Sequence, residues 1–256
     1  MGAGTVIKHI TLIYPYYNAP SMLRVHLKNW SLMLDDVKER MNVILVDDGS
    51  RKSPALDAVR EEWGKKVPEW FSLFRIIEDI PWNQHGARNL GAKHAHKGWM
   101  LISDIDHTIS YNSLKWILDH DLDEKKYYTL RRMTAVPGKN ELEIMRDKNG
   151  LPKPHPNSFI LTKGLYWKVG GYDEDYCGTY GGDGPFRRWL DRLATREHLN
   201  LPYLVRWPRE VIPDASQSSE FREAYRGKFR PLFDRKGGGE APKPINPLRF
   251  KWERVL

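Results

Sequence analysis

The sequence predicts an α/β fold, a mostly parallel central sheet flanked by helices, and two observations predict it. Short β-branched apolar runs recur through the first half and alternate with stretches of helical spacing, the order expected of parallel strands joined by crossover helices. Two of those runs, "NVILVDDGS" (42–50) and "WMLISDID" (99–106), stop on carboxylates. Ligands in open α/β sheets gather beyond the carboxyl ends of the strands, so acids at such ends are placed for chemistry.

Each element follows from local pattern. "HITLIY" (9–14) is a β-branched run, and "PYYNAP" after it is a turn-rich loop. Ser21 is positioned to cap a helix in which Leu23, Leu27, Trp30 and Leu34 share one face. "NVILVDDGS" reads as a second strand, "SLFRII" (72–77) as a third, and "GARNLGAKHAH" (86–96) as a helix of small residues. A fourth strand (99–106), a helix "NSLKWILDH" (112–120) and a strand "YYTLRRM" (127–133) follow. The polar stretch 137–158, with its "KNG" turn, reads as a hairpin or mobile loop. Residues 159–193 hold a short strand, a helix stopped by Gly170-Gly171, a Gly-rich loop and a second helix. "YLVRWP" (203–208) ends the regular part, and "RKGGGEAPKPINP" (235–247) has the composition of a flexible arm. The simplest division is a catalytic domain over 1–214 and a basic C-terminal extension over 215–256.

Composition narrows the classes. At 256 residues, 40% of them hydrophobic, with 10 Trp and 12 Tyr, the chain can bury a sizeable core and is not of disordered type. No apolar run approaches the ~20 residues of a membrane helix. The first residues lack the charged-then-apolar layout of a secretory signal. A single cysteine, Cys177, excludes an internal disulfide framework, so a cytoplasmic protein is expected. The net charge of +8 is uneven: residues 215–256 carry ten Lys/Arg against five Asp/Glu. Such a surface suits phosphate-rich partners, or is simply solvated.

Asp104 and Asp106 are the most informative acids. On a strand, residues i and i+2 share a face, and two ionised carboxylates there repel unless a hard cation such as Mg²⁺ or Mn²⁺ neutralises them. The pairs at Asp119, Asp121 and Asp123 have the same spacing but sit at the solvated end of a helix. In "VDDGS", Asp48 either organises the turn with Gly49 and Ser50 or accepts hydrogen bonds from a ligand. In "GGDGPF" (181–186), three glycines leave room around Asp183, which reads both as a helix N-cap and as a general base beside a metal site. His94 and His96 point apart on a helix, and His107, directly after the acidic pair, and His155 read as loop residues, with a place in the site as the alternative. The sequence has no P-loop, no G-x-G-x-x-G and no G-x-S-x-G, which disfavours P-loop hydrolysis, dinucleotide redox chemistry and serine hydrolysis.

In order and spacing, "TLIYPYYN" (11–18), "VILVDDGS" (43–50), "HGARNLGAKHA" (85–95), "LISDID" (101–106), "VGGYDEDY" (169–176) and "GGDGPFRRWL" (181–190) resemble the GT-A fold glycosyltransferases, above all the inverting family-2-like group. The resemblance spans roughly three quarters of the chain, from residue 9 to about 193. It implies a hexosyltransferase using a nucleotide-diphosphate sugar, UDP-linked above all, and a divalent metal, Mn²⁺ or Mg²⁺. Tyr17 would stack on the donor base and Asp48 would hydrogen-bond it. Arg88 would lie near the ribose or diphosphate, Asp104 at the ribose or metal, and Asp106 on the metal. Asp183 matches the family's catalytic base; Gly184 stands where the family usually has a second acid. His198 and Asp214 are candidates for a third metal ligand.

The resemblance suggests a glycan or lipid-linked sugar as acceptor. The aromatics of the basic segment, Trp207, Phe221, Tyr225, Phe229, Phe233, Phe250 and Trp252, either pack on the domain or stack bases, so the alternative acceptor is the hydroxyl of a modified DNA base. A non-catalytic nucleotide-sugar or nucleic-acid binding module is a further alternative, and a nucleotidyltransferase another.

Overall fold

A computed structural model describes residues 5–6, 9–216, 218–236 and 247–256. Its centre is a ten-stranded sheet. β2 (Ile10–Tyr16), β3 (Met41–Asp47), β4 (Phe71–Ile76) and β5 (Trp99–Ile102) form a parallel half in the order β4-β3-β2-β5. Both faces of β2 and β3 are covered, which is why these strands read as unbroken apolar runs. Beyond β5 the sheet is mixed. β10 (Phe159–Thr162) is antiparallel to β5 and to β8 (Lys126–Ala135), β11 (Thr195–Arg206) is parallel to β8, and β6 (His107–Ile109) closes that edge. The expectation of a mostly parallel sheet therefore describes the first half, and beyond β5 parallel and antiparallel pairs are mixed. The segment 137–158 does form a hairpin, with β9 (Leu142–Ile144) paired to β8. At the far edge β12 (Trp252–Arg254) pairs with β4, and a separate small ladder joins β1 (Thr5–Val6) to β7 (Asp121–Leu122).

Helices cover both faces. On one face α1 (Pro20–Ser31), α3 (Ala55–Trp63) and α5 (Tyr111–Asp119) bury Leu23, Leu27, Trp30, Val59 and Ile117 against Leu12, Val43 and Leu45. On the other, α4 (Gln84–His94), α6 (Lys163–Val169) and α7 (Asp183–Leu193) bury Leu90, Tyr166 and Phe186 against Ile13, Ile44 and Val46. The period-2 alternation of Leu12 and Ile13 feeds the two cores.

Two local readings are corrected. Ser21 does not cap α1: the N-cap is Ala19, and the Asp214 carboxylate accepts from the free N–H groups of Ser21 (2.7 Å) and Met22 (3.0 Å). Leu34 is 59% exposed because α1 stops at Ser31 and Leu34 precedes a short helix, α2 (Asp35–Lys38). α8 (Ser218–Arg235) carries Phe221, Tyr225, Phe229 and Phe233 at four-residue spacing, with Phe221 against Trp82 and Tyr17 and Phe229 against Tyr176. Most of the arm at 235–247 lies outside the described residues. Among the described residues no helix is long and apolar enough to cross a membrane.

Candidate active site

A cavity of about 640 Å³ opens at the carboxyl ends of β2, β3 and β5. Tyr17, Asp48, Asp104, Asp106 and Asp183 all line it. Four chain segments distant in sequence thus deliver the expected site residues to one place.

One end of the cavity is built after β2 and β3. In "VDDGS" it is Asp47, not Asp48, that organises the turn: its carboxylate accepts from the backbone N–H of Ser50 (2.9 Å) and of Ala55 at the start of α3 (2.8 Å). Asp48 is left for the cavity, held by Asn83 Nδ2 (3.0 Å), and burial pushes its carboxyl well above the usual range. Gly49 permits this turn, with φ +73° and a hypothetical Cβ 2.7 Å from the Glu78 carbonyl. The Tyr17 hydroxyl donates to Asp79 (3.1 Å), which leaves the ring at the cavity wall.

Asp104 and Asp106 differ from expectation in one respect. They lie in the turn between β5 and β6, not on a strand, so strand alternation does not set their directions. Each has its own partner. Asp104 is gripped by Arg88 Nη2. Asp106 accepts from His107 Nδ1 (2.6 Å), and His107 Nε2 accepts from Arg132 Nε (3.0 Å). The arginine fixes the imidazole tautomer. Burial holds His107 neutral, well below its ordinary pKa, so Arg132–His107–Asp106 is a hydrogen-bonded chain with a cation at its far end. Burial raises Asp106, while His155, Arg132 and Arg206 pull it down.

Arg88 was expected at the donor ribose or diphosphate. Its side chain is fully buried, does not line the cavity, and joins the acids from behind: Nη2 donates to Asp104 and to Gln84 Oε1 (3.0 Å), while Nη1 donates to Asp183 Oδ1 (2.8 Å). The guanidinium lies 4.9 Å from the centre of the Tyr172 ring. Asn157 Nδ2 donates to the other Asp183 oxygen (3.1 Å). Asp183 is the first residue of α7, with Gly182 as N-cap, so its carboxylate also faces the positive end of the helix. Burial alone would raise it, but Arg88 and His85 outweigh that and hold it well below the usual carboxylate range.

Sequence reasoning missed His85. It is fully buried, stacks on Tyr172, and brings Nε2 to 3.6 Å from Asp183, with no hydrogen-bond partner for either ring nitrogen among the described residues. Gly182 makes room: a Cβ there would stand 2.5 Å from His85 Cε1. Arg132, Asn157 and Arg206 were also missed. The adjacent Arg131-Arg132 in an otherwise apolar strand was the available signal, since alternation must turn one of them inward.

The acids can be tested for a dication. His155, read as a loop residue, is 8% exposed and has Nδ1 on Ser158 Oγ (2.9 Å) and Nε2 3.5 Å from Asp104 Oδ2. Burial lowers its pKa to about 3, so a neutral ring faces a carboxylate too far off for a good hydrogen bond. Oxygen-rich donors backed by a tethered histidine fit a hard cation. Among the described residues no three His, Cys, Asp or Glu side chains form a ready-made metal cluster, so ligand oxygens and water would complete the shell. The other two candidates do not join: His198 lies on β11 against Thr129 (3.1 Å), and the Asp214 carboxylate, although at the cavity, is spent on α1.

A parallel half-sheet with acids gathered in a cavity at its carboxyl ends is an architecture of GT-A type. Over residues 11–180 the sequence matches Glycosyl transferase family 2, and the chain belongs to that family. None of the curated proteins matches the chain in sequence. Among solved structures, mannosyltransferase PcManGT from Pyrobaculum calidifontis, in complex with GDP-Man and Mn²⁺, is similar at 17% identity and a TM-score of 0.57, covering 79% of this chain and 58% of that one. GalNAc-T7 with UDP, GalNAc and Mn²⁺ matches at 13% identity and TM-score 0.60, over 91% and 58%. S. aureus TarS 1–349 in complex with UDP-GlcNAc matches at 18% and 0.54, over 84% and 64%. At these identities the likeness is one of fold, and the chain spans less than two thirds of each.

Proposed function

We propose that the chain is a metal-dependent, inverting transferase that moves a hexosyl group from a UDP-sugar to an acceptor hydroxyl. The observation that carries this reading is the Arg88 fork, which ties Asp183, the base, to Asp104, the donor-side acid, across one cavity. Tyr17 stacks on the donor base and Asp48 accepts from its N–H. Similar structures bound to GDP-Man, UDP and UDP-GlcNAc support a nucleotide at this end.

Asp106 and Asp104 would hold Mn²⁺ or Mg²⁺, which supplies positive charge for the departing diphosphate. Arg132 and Arg206, both acting electrostatically on Asp106, add fixed positive charge at that end. Asp183 takes the acceptor's hydroxyl proton as the oxygen bonds to the anomeric carbon. The bond from that carbon to the diphosphate breaks, and its electron pair leaves with UDP. Attack and departure on opposite faces invert the configuration. Arg88 and Asn157 hold both Asp183 oxygens, so the base is ionised and aimed before substrate arrives. The first acceptor in this reading is a glycan or lipid-linked sugar, and the second is a hydroxyl on modified DNA.

Asp183→Asn tests the reading against a panel of UDP-sugars with Mn²⁺. UDP affinity should hold while transfer falls by roughly 10²–10⁴, the span of general-base contributions. Persistent transfer would remove Asp183 from its role, and release of pyrophosphate instead of UDP would mark a nucleotidyltransferase.

A further inference from the structure

The transfer mechanism makes no use of His85, although it stands beside the base. The imidazole is 0% exposed, and neither ring nitrogen has a hydrogen-bond partner among the described residues. Buried polar atoms in folded proteins are almost always paired, so two orphaned nitrogens on one ring call for a role at that place. The ring is held firmly. It stacks on Tyr172 (5.3 Å between centres, 27° between planes), and Phe186 stacks on Tyr172 in turn (4.1 Å, 15°). Gly182 leaves the space, since a Cβ there would stand 2.5 Å from His85 Cε1 and 3.1 Å from its Nε2. A side chain immediately before Asp183 would push the imidazole away from the base.

The aim of that ring tells the two oxygens of Asp183 apart. His85 and Arg88 are i and i+3 on α4, so they share a helix face, and both address Oδ1: Arg88 Nη1 at 2.8 Å and His85 Nε2 at 3.6 Å. Oδ2 has a different neighbour, Asn157 Nδ2 at 3.1 Å. Asn157 and Asp183 line the cavity, whereas His85 and Arg88 do not. Oδ1 therefore faces the protein interior, and Oδ2 faces the side a substrate can reach. Each carboxylate oxygen has two acceptor positions, so Asn157 leaves one free on Oδ2. At 3.6 Å the imidazole stands just outside hydrogen-bond range. Contacts of this kind at catalytic groups are often long in the empty enzyme and tighten in the substrate complex.

We propose that His85 is a positioning residue for the base: with its proton on Nε2 it donates to Asp183 Oδ1 in the loaded site, so that Oδ1 serves as the anchor and Oδ2 takes the acceptor's proton. This rests on the transferase reading above. The acceptor's O–H bond breaks, the proton bonds to Oδ2, and the freed electron pair forms the bond to the anomeric carbon. His85 and Arg88 keep donating to Oδ1 throughout. The test uses the full chain as wild type, His85→Leu, His85→Gln, Asp183→Asn and the double variant His85→Leu with Asp183→Asn. UDP release is followed from a panel of UDP-sugars in Mn²⁺, with water standing in for the acceptor hydroxyl, beside UDP affinity and thermal melting. His85→Leu should lower kcat roughly 10–100-fold, the worth of one hydrogen bond to a charged group, with UDP affinity unchanged. Its melting temperature should hold or rise, because leucine removes two buried nitrogens that lack partners. Glutamine carries an N–H of similar reach and should recover most of the loss. In the Asp183→Asn background His85→Leu should cost little more, since the two residues act as one unit.

Wild-type turnover in His85→Leu would overturn the proposal, as would a folded His85→Gln no better than His85→Leu. Losses that multiply in the double variant would make His85 independent of the base and likewise overturn it. Nuclear magnetic resonance of nitrogen-15-labelled histidine supplies a readout that needs no turnover and no variant of His85. The His85 proton should sit on Nε2, and that resonance should move in Asp183→Asn; a proton on Nδ1 alone would overturn the proposal. This measurement decides where His85→Leu fails to fold or water is too slow an acceptor. Failure of wild type to bind UDP would instead refute the transferase reading, a separate outcome.

Discussion

Arg88→Met is the most informative perturbation of the site, because one fully buried guanidinium serves two carboxylate side chains that are 26% (Asp104) and 13% (Asp183) exposed. Methionine keeps much of the volume and removes the charge. Breaking a buried pair by deleting one partner costs about 3–5 kcal/mol, since the remaining charge stays in place. Unfolding a chain of this length carries an entropy of roughly 0.5 kcal/mol/K, so the melting temperature should fall by about 6–10 °C at neutral pH.

The sign of the pH dependence makes this specific. In the wild type Asp183 is held below its unfolded value, so its contribution is present above about pH 4 and is lost as pH falls through the depressed value. Without Arg88, burial prevails and the Asp183 pKa lies above the unfolded value. The carboxylate then destabilises at neutral pH, and the penalty is relieved as pH falls through the raised value. The gap between wild type and Arg88→Met should therefore narrow from pH 8 to pH 5 in metal-free buffer, read by calorimetry or circular dichroism. Arg88→Met with Asp183→Asn should recover part of the loss, because both charges are gone. A gap that is constant with pH, or an unchanged melting temperature, would refute the reasoning.

Two further outcomes follow from the same geometry. Gly182→Ala introduces no backbone strain at φ −60°, but its Cβ meets His85 Cε1 at 2.5 Å and Tyr176 Cβ at 2.6 Å; overpacking should cost about 1–3 kcal/mol in chemical denaturation, and turnover should fall while UDP affinity holds. With Asp183 held well below the ordinary carboxylate range, kcat/KM should show no acid limb from the base between about pH 5 and 8, and a limb centred near pH 6–7 would assign proton removal to another group.

The parallel half of the fold was legible because β2 and β3 are buried on both faces and announce themselves as apolar runs. The acids after β3 and β5 were legible for the same reason, each marking where a strand meets the cavity. What the residues do next was not. Asp47 and Asp48 are neighbours of identical chemistry, and only the position of α3 decides that Asp47 takes the turn while Asp48 faces the cavity. His107 and His155 look like loop residues in a sequence, yet both are buried because β8, β11 and the β9 hairpin close over them. His85 and Arg88 sit on a helix whose middle eight residues are all buried, so their contacts with Asp183 are set by α7 docking from a distant part of the chain. Tertiary pairing of this kind leaves no local period to read.

The two like charges in "LISDID" are tolerated without a bound cation because the fold answers each one separately. Asp104 has Arg88 beneath it, and Asp106 has a neutral histidine whose far nitrogen is polarised by Arg132. The same arrangement ties Asp104 to Asp183. Arg88 distributes one positive charge between Asp104 and Asp183, so a variant that neutralises Asp104 concentrates that charge on the base. The base then becomes still more acidic and weaker as a proton acceptor, which sets the two carboxylates apart from a simple pair of independent roles. Asp104→Asn should therefore lower turnover beyond its effect on UDP affinity, whereas a loss confined to UDP affinity would show that Arg88 holds the two acids in place without coupling them.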